Sequence, residues 1–273
     1  MTERKKYLVV VAGGSGSRMG SKIPKQFLEL DGMPILQRTI ERFVEAEPDI
    51  HVVTVLPKAH RALWEELCSR HNFNRPQILA DGGITRFHSV QNALEKVPDG
   101  AITAIHDGVR PLVSVALIRK MFALMSGGVR ALIPVMPITD TLHLLDKSED
   151  GPAAASASPA SAVGTASAGP SASAISTASI SKPATADLLQ LATAPDAEVP
   201  DRSRLFGAQT PQMFRSEDIK AAYRDTGFRI DFTDDASVAR AYKIPLSYIA
   251  GERFNIKITT PEDLSLAELL LTF

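Results

Sequence analysis

Tyr7-Leu8-Val9-Val10-Val11 runs directly into Ala12-Gly13-Gly14-Ser15-Gly16-Ser17-Arg18-Met19-Gly20 and on to Pro24-Lys25-Gln26. The apolar run reads as a buried strand. The glycines after it carry no Cβ, so the backbone can turn sharply and come close to a ligand. Exposed N–H groups in such a turn form an anion-binding concavity. Arg18 and Lys25 place two cations on the same loop. Strand, glycine loop and spaced cations together point to a nucleoside triphosphate held by its phosphates.

Two familiar phosphate loops do not fit. A P-loop needs a glycine, four residues and then Gly-Lys-Ser/Thr, and no pair of glycines here has that spacing. The dinucleotide fingerprint G-x-G-x-x-G is met by Gly14 and Gly16 but has Met19 at its third position, and Pro24 would interrupt the helix it should open. A bare Gly/Ser loop with one arginine is an ordinary turn. The continuation Pro24-Lys25-Gln26-Phe27 is what sets this one apart. The whole pattern resembles the signature loop of the sugar-nucleotidyltransferase superfamily, G-x-G-x-R-M…P-K, and its Gln-Phe continuation looks more like the branch that acts on polyol phosphates.

Composition narrows the classes. With 273 residues, 44% hydrophobic and 22% charged, the chain has an ordinary globular make-up. A net charge of -1 gives no basic field for nucleic acid. No apolar stretch approaches membrane-spanning length, and the charged start leads into only a strand-length apolar run. The single cysteine, Cys68, excludes a disulfide framework within the chain. A reducing, cytoplasmic location is the expectation.

Strand-like runs alternate with helix-like segments. Strands are expected at Leu8–Val11, Ile50–Leu56, Gln77–Leu79, Ala101–Ile105 and Arg130–Val135. Helices are expected at Ile35–Ala46, Lys58–His71, Phe87–Val97 and Val115–Ser126. This alternation argues for an α/β fold, a Rossmann-like, mostly parallel sheet with helices on both faces. Ligands in such sheets bind at the carboxyl ends of strands, near a switch in strand order. From Gly151 to about Pro200 the chain turns Ala/Ser/Thr/Pro-rich and reads as a flexible insertion, with room for a short helix around Ala186–Leu191. Afterwards Ser216–Tyr223 reads as a helix with Ser216 as N-cap. Thr233–Tyr242 reads as one capped by Thr233 or Asp234, and Tyr248–Ile249 as a strand. Thr260-Pro261-Glu262-Asp263 resembles a capping box with proline at N1.

Three further motifs carry chemistry. Asp81-Gly82-Gly83-Ile84-Thr85-Arg86-Phe87-His88-Ser89 pairs two glycines, suited to backbone contact with a flat base, with a serine hydroxyl just inside a helix. Alone it would read as a turn and cap. His106-Asp107-Gly108-Val109-Arg110-Pro111 follows a strand directly. A carboxylate there suits Mg²⁺, which takes a few carboxylate oxygens plus substrate phosphates, and Arg110 suits a phosphate. His106 itself reads as a packed strand-end residue, and the remaining histidines form no metal-ligand spacing. In Gly251-Glu252-Arg253-Phe254-Asn255-Ile256-Lys257-Ile258, Lys257 alternates with isoleucines, which on a strand turns it to the opposite face.

Taken in order, with Thr139-Asp140-Thr141, Asp201-Arg202, Gln209-Thr210-Pro211-Gln212 and Thr233-Asp234-Asp235-Ala236-Ser237, these motifs resemble the 2-C-methyl-D-erythritol 4-phosphate cytidylyltransferases. The resemblance covers nearly all of the chain outside 148–199. It implies one cytidylyltransferase domain over 1–273. It also implies a protruding β-arm over 139–208 that embraces the second subunit of a homodimer, with strands at Thr141–Leu145 and Asp201–Phe206. The low-complexity stretch 148–199 would then be the enlarged tip of that arm.

The resemblance further implies that the backbone of Ala12, Gly13 and Gly14, with Arg18 and Lys25, holds the CTP phosphates. Gly83 and Ser89 would meet the cytosine, with Arg86 nearby. Asp107, Arg110, Thr141, Thr233 and Lys257 would lie at the polyol phosphate, and Arg202 and Thr210 would reach it from the partner subunit. Mg²⁺ would bridge the triphosphate, with Asp107 as protein ligand. Arg18, Lys25 and Lys257 are the expected catalytic cations. Many relatives have Pro-Ala-Ala-Gly at Val11-Ala12-Gly13-Gly14, and some have an acidic residue where this chain has Phe254. The alternatives are the same chemistry on ribitol 5-phosphate and a nucleotide-binding module without turnover. The Asp201-Arg202 and Thr139-Asp140-Thr141 elements favour methylerythritol phosphate, and both lysines favour turnover.

Overall fold

Successive side chains of a strand go to opposite faces. In the first strand Leu8 and Val10 enter one buried cluster while Tyr7 and Val9 enter another. A strand buried on both sides needs helices on both sides, and that is the architecture found in the computed structural model. It describes residues 4–14, 23–142, 145–147, 191–193, 201–229 and 232–272.

The elements are β1 (Lys6–Val11), β2 (Glu29–Leu30), β3 (Met33–Pro34), α1 (Ile35–Ala46), β4 (His51–Leu56), α2 (Arg61–Arg70), β5 (Gln77–Asp81) and α3 (Arg86–Leu94). They continue with β6 (Ile102–Asp107), α4 (Val115–Ser126), β7 (Ala131–Pro137), β8 (Leu145–Lys147), β9 (Leu191–Thr193), β10 (Phe206–Ala208), β11 (Gln212–Arg215), α5 (Ser216–Asp225), α6 (Asp235–Ala241), β12 (Ser247–Ala250) and α7 (Pro261–Leu270). By packing they form two units, Met1–Ile138 with Phe206–Phe273, and Thr139–Leu205.

The larger unit holds an eight-stranded sheet. β5, β4, β1 and β6 pair in parallel in that order. β11 lies antiparallel between β6 and β7, and β12 runs parallel to β7. Trp64, Leu67, Phe43 and the apolar side of α4 cover one face of the sheet, while Phe87, Val90, Ile219, Tyr223 and Val238 cover the other. From β1 the chain moves outward to β4 and β5, then returns to place β6 on the other side of β1. The strand order therefore switches between β1 and β6, where Val11 pairs with Asp107. The rule for open α/β sheets puts the ligand crevice there.

Local chemistry sets the ends of elements. Asp31 and Gly32, both at positive φ, form the two-residue turn between β2 and β3. Thr85 and Ser114 cap α3 and α4, while Asp234 with Ser237 and Thr260 with Asp263 close capping boxes on α6 and α7.

Four expectations need correction. Ser216 does not cap α5. Arg215 is the cap residue, and the Ser216 hydroxyl, fully buried at the start of β6, accepts from the Ala101 N–H at 2.9 Å. Asp201–Phe206 is not one strand. The Asp201 carboxylate accepts from the Ser203 N–H and hydroxyl at 3.0 and 2.7 Å, which winds Arg202–Arg204 into a 3₁₀ turn. β10 then pairs with β7. The ladder in the smaller unit is β8 with β9 instead of Thr141–Leu145 with Asp201–Phe206. Lys257 is not on a paired strand, although Asn255 and Ile258 are buried on either side of it. The remainder of 148–199, including 186–190 of the suggested helix, lies outside the described residues, and Leu191 begins β9.

Candidate active site

The carboxyl ends of β1, β5 and β6 surround an open cleft of about 510 Å³. Its floor is the switch point. The Ala12 N–H donates to Val55 O at 3.0 Å and the Gly108 N–H to Val11 O at 2.9 Å, so β1 hands its last ladder bonds to both neighbours. The buried Gln26 amide donates to Ala12 O at 2.8 Å and fixes the start of the glycine loop. Among the described residues, a Cβ on Gly14 would meet nothing within 4 Å, and one on Gly13 only Ser89 Oγ at 3.6 Å.

The facing wall is built differently. Ser89 Oγ accepts the Gly83 N–H at 2.9 Å and donates to Thr85 O at 2.9 Å. A Cβ on Gly83 would lie 2.4 Å from the His88 Cβ. Gly83 is thus required by the packing of its loop onto the first turn of α3. Ile84, 96% exposed, rims this wall.

Asp107 ends β6 at 7% exposure. Its Oδ2 lies 3.1 Å from both Arg110 Nε and Lys257 Nζ, and its Oδ1 lies 3.8 Å from Arg86 Nε. Burial alone would raise its pKa, but the charges of Arg86, Lys257 and Arg110 outweigh that and hold the carboxyl well below the usual range. His106, fully buried and edge-on to Phe43 at 4.9 Å, donates from Nε2 to Arg110 O at 3.1 Å. Burial lowers its pKa to about 4, so it is a neutral packing residue at pH 7.

The two lysines reach the cleft from opposite ends of the chain. Lys25 starts a 3₁₀ turn after Pro24, and its Nζ donates to Ile258 O at 3.0 Å. Lys257 is held by its neighbours: Asn255, fully buried, donates to Thr210 O at 2.8 Å, and its own carbonyl accepts from Arg110 Nη1 at 2.7 Å. Thr210 sits in a bulge. Ala208 pairs with Val135 and Met213 with Leu132, so five residues on one strand step against three on the other. The bulge turns the Thr210 hydroxyl to accept the Asp107 N–H at 3.1 Å. Within the chain, β10 and β11 carry Thr210 along β7 to this place beside Asp107. Gln209 and Glu252 exchange bonds at 2.8 and 3.0 Å and tie the bulge to the lysine segment.

The cleft thus brings together Ala12, Gly13, Gly14, Lys25, Gly83, Arg86, Ser89, Asp107 and Lys257, with Arg110 beside Asp107. Thr233 is exposed just ahead of α6 and is not among the cleft-lining residues. Thr141 and Arg202 belong to the smaller unit, where Arg202 Nη1 donates to Thr139 O at 3.3 Å. Arg18 lies outside the described residues. Sequence reasoning assigned no role to Gln26, Gln209, Tyr223 or Asp235. Gln26 and Asp235 stand inside quoted motifs, whereas Tyr223 looks like any helix core residue. Among the described residues no group of three or more His, Cys, Asp or Glu could hold a metal, and Asp107 is the sole carboxylate lining the cleft. No helix among them is long and apolar enough to cross a membrane.

Comparison with known proteins agrees with this geometry. The family model described as IspD, 2-C-methyl-D-erythritol 4-phosphate cytidylyltransferase, matches residues 7–151 and 171–273. A protein of that name from Porphyromonas gingivalis is 40% identical over 274 residues, covering 99% of each chain. Another from Bacteroides thetaiotaomicron is 36% identical over 268 residues, covering 98% of this chain and all of its own. In fold, the chain is similar to the crystal structure of 4-diphosphocytidyl-2C-methyl-D-erythritol synthase from Anaerococcus prevotii. That likeness has a TM-score of 0.68 at 21% identity and covers 99% and 97% of the two chains. The bifunctional IspDF from Campylobacter jejuni gives a TM-score of 0.67 at 20% identity, over 96% of this chain and 53% of that one. The chain belongs to the 2-C-methyl-D-erythritol 4-phosphate cytidylyltransferase family.

Proposed function

We infer that the cleft between β1 and β6 is where this chain performs its family's reaction, the transfer of a cytidylyl group from CTP to 2-C-methyl-D-erythritol 4-phosphate in isoprenoid biosynthesis. A phosphate oxygen of the polyol forms a bond to the α-phosphorus of CTP. The bond from that phosphorus to the bridging oxygen breaks, and pyrophosphate leaves. The attacking phosphate has its second pKa near ~6 and is largely dianionic at neutral pH, so no general base is needed. The neutral, buried His106 suits a site without one.

The difficulty is to bring two polyanions together, which is a matter of positioning and charge. Lys25 and Lys257 stabilise the charge on the α-phosphate, and the open backbone of Ala12, Gly13 and Gly14, with Arg18, takes the triphosphate. Gly83 and Ser89 face the cytosine. Asp107, Arg110, Thr210 and Thr233 serve the polyol end. The observation that carries this reading is the convergence of Lys25 and Lys257 on one cleft where Asp107, the one lining carboxylate among the described residues, pairs directly with Lys257. Mg²⁺ supplies positive charge to the triphosphate when bound. One carboxylate suits an ion held mainly by substrate phosphates, so Asp107 is the protein ligand proposed for it.

Homodimer assembly through 139–208, with Thr141 and Arg202 completing the neighbouring site, follows from the family resemblance. The lone cysteine supports a cytoplasmic location. Lys25→Ala and Arg202→Ala chains, each inactive alone, should partly restore activity when co-assembled. No restoration would place each site within one chain.

The substrate test is pyrophosphate release from CTP and Mg²⁺ with methylerythritol 4-phosphate or ribitol 5-phosphate. Strong release with the first alone is expected. Release with ribitol 5-phosphate alone would move the substrate assignment and keep the site chemistry, while CTP binding without release from either would remove turnover altogether.

A further inference from the structure

Leading away from the cleft wall is a relay of charge, partly exposed at Arg86 and fully buried at Asp235, that the reading above does not use. Arg86 opens α3, and its Nη1 and Nη2 donate to Asp235 Oδ1 and Oδ2 at 2.8 and 2.7 Å. Asp235, the first residue of α6, is fully buried. The Tyr223 hydroxyl, from α5, donates to Asp235 Oδ1 at 2.5 Å, and the tyrosine ring stacks on Phe87 at 4.6 Å. On its other side the Arg86 guanidinium points Nε at Asp107 Oδ1, 3.8 Å away.

A buried ion pair is a weak way to stabilise a fold, because desolvating both charges offsets most of their attraction. Here the pair has a directional consequence. Burial opposes the charged form of Arg86, but the charge of Asp235 and its hydrogen bonds outweigh that, so the guanidinium stays charged. Because its fork is held by Asp235, Arg86 meets Asp107 only through Nε, at a longer distance than Arg110 or Lys257. Released from Asp235, the same fork would turn on Asp107 bidentately. It would then compete with Lys257 for the carboxylate.

We propose that Asp235, braced by Tyr223, is a positioning residue for cytidylyl transfer: it holds Arg86 off Asp107, so that Asp107 keeps Oδ2 for Lys257 and fixes that lysine at the α-phosphate. The inference rests on the assignment of Asp107 and Lys257 to the transfer site. That assignment is tested separately by pyrophosphate release from Lys257→Ala, where an unaltered rate would remove the assignment whatever the Asp235 variants do.

The variants are Asp235→Asn, Tyr223→Phe and the double change Arg86→Met with Asp235→Asn. Loss of a hydrogen bond to a charged group predicts that Asp235→Asn lowers kcat roughly 10- to 100-fold. CTP affinity by calorimetry should stay within about twofold, since the effect is on the reacting step. Tyr223→Phe, which keeps the ring and folds safely, should lower kcat about three- to tenfold. The double change removes both charges, and with them the guanidinium that would compete with Lys257, so it should recover the melting temperature, because neither partner is left unpaired, and most of kcat. A double variant that melts normally while its kcat stays as low as that of Asp235→Asn would overturn the proposal, because no guanidinium is then left to compete with Lys257. So would a loss of CTP affinity in step with kcat, which would mean that Asp235 only seats α3, or a Tyr223→Phe protein with unaltered kcat.

Discussion

The two glycine motifs that frame the cleft look alike in sequence and are opposites in structure. Among the described residues, an added Cβ at Gly14 would meet nothing within 4 Å, and at Gly13 only an ordinary contact. At Gly83 it would collide with the His88 Cβ at 2.4 Å. None of the three lies in the left-handed region of backbone space, so none of them needs to be glycine for an unusual φ. Around Gly13 and Gly14 the described residues leave space, which the proposed function gives to the triphosphate, whereas at Gly83 the protein's own helix fills the space. A glycine in a loop therefore signals close approach, and only the packing around it says whether the approaching body is a ligand or the protein itself.

Substitutions can break or sharpen that contrast. The largest effect is expected on the ligand side. Lys25→Ala, next to the open loop, should lower turnover by roughly 10²–10³-fold, as for a lost oxyanion donor. Thermal melting should stay close to the unaltered protein, and a large fall in melting temperature would make Lys25 structural.

His106 and Asp107, adjacent on β6, divide in the same way, the histidine serving the fold. Its folded pKa of about 4 lies below its ordinary 6.5, so the unfolded chain takes up the proton first as pH falls. Stability is then complete above 6.5 and declines toward 4, by about 3 kcal/mol from His106. Urea titrations between those pH values should show the slope, and His106→Gln should flatten it.

Gly83→Ala should cost about 1–3 kcal/mol of stability through overpacking. Calorimetric melting would show it, and an unchanged melting temperature would contradict the packing argument. Gly14→Ala is the smallest perturbation to the free protein. It should melt normally and, if the proposed triphosphate site is right, bind CTP several-fold more weakly, by about 1 kcal/mol, because the added methyl would stand at the backbone proposed to meet the phosphates.

Much of the fold was legible. β1 declares itself by an unbroken apolar run, and α1 and α4 match their expected residues, since helices of that length carry enough periodicity to fix their ends. The capping boxes at Asp234 and Thr260 follow from short-range chemistry alone. β10 and β11 were missed because they are short and antiparallel, and their place is set by pairing with β6 and β7 far away in sequence. The same distance hid the roles of Thr210 and Asp235. Nothing local in Gln209-Thr210-Pro211-Gln212 says that the threonine will accept from Asp107, and nothing around Asp235 announces Arg86 as its partner. Arg86 lines the cleft with Gly83 and Ser89, and its fork is held by the fully buried Asp235, a partner that local sequence does not announce.

The central claim is that Lys257, held on Asp107, acts on the reacting phosphate and not on nucleotide binding in general. The direct test is to measure both quantities on Lys257→Ala: CTP affinity by calorimetry and the rate of pyrophosphate release with methylerythritol 4-phosphate at saturating CTP. The account expects affinity within a few-fold of the unaltered protein and a rate lower by roughly 10²–10³. A rate near that of the unaltered protein would contradict it.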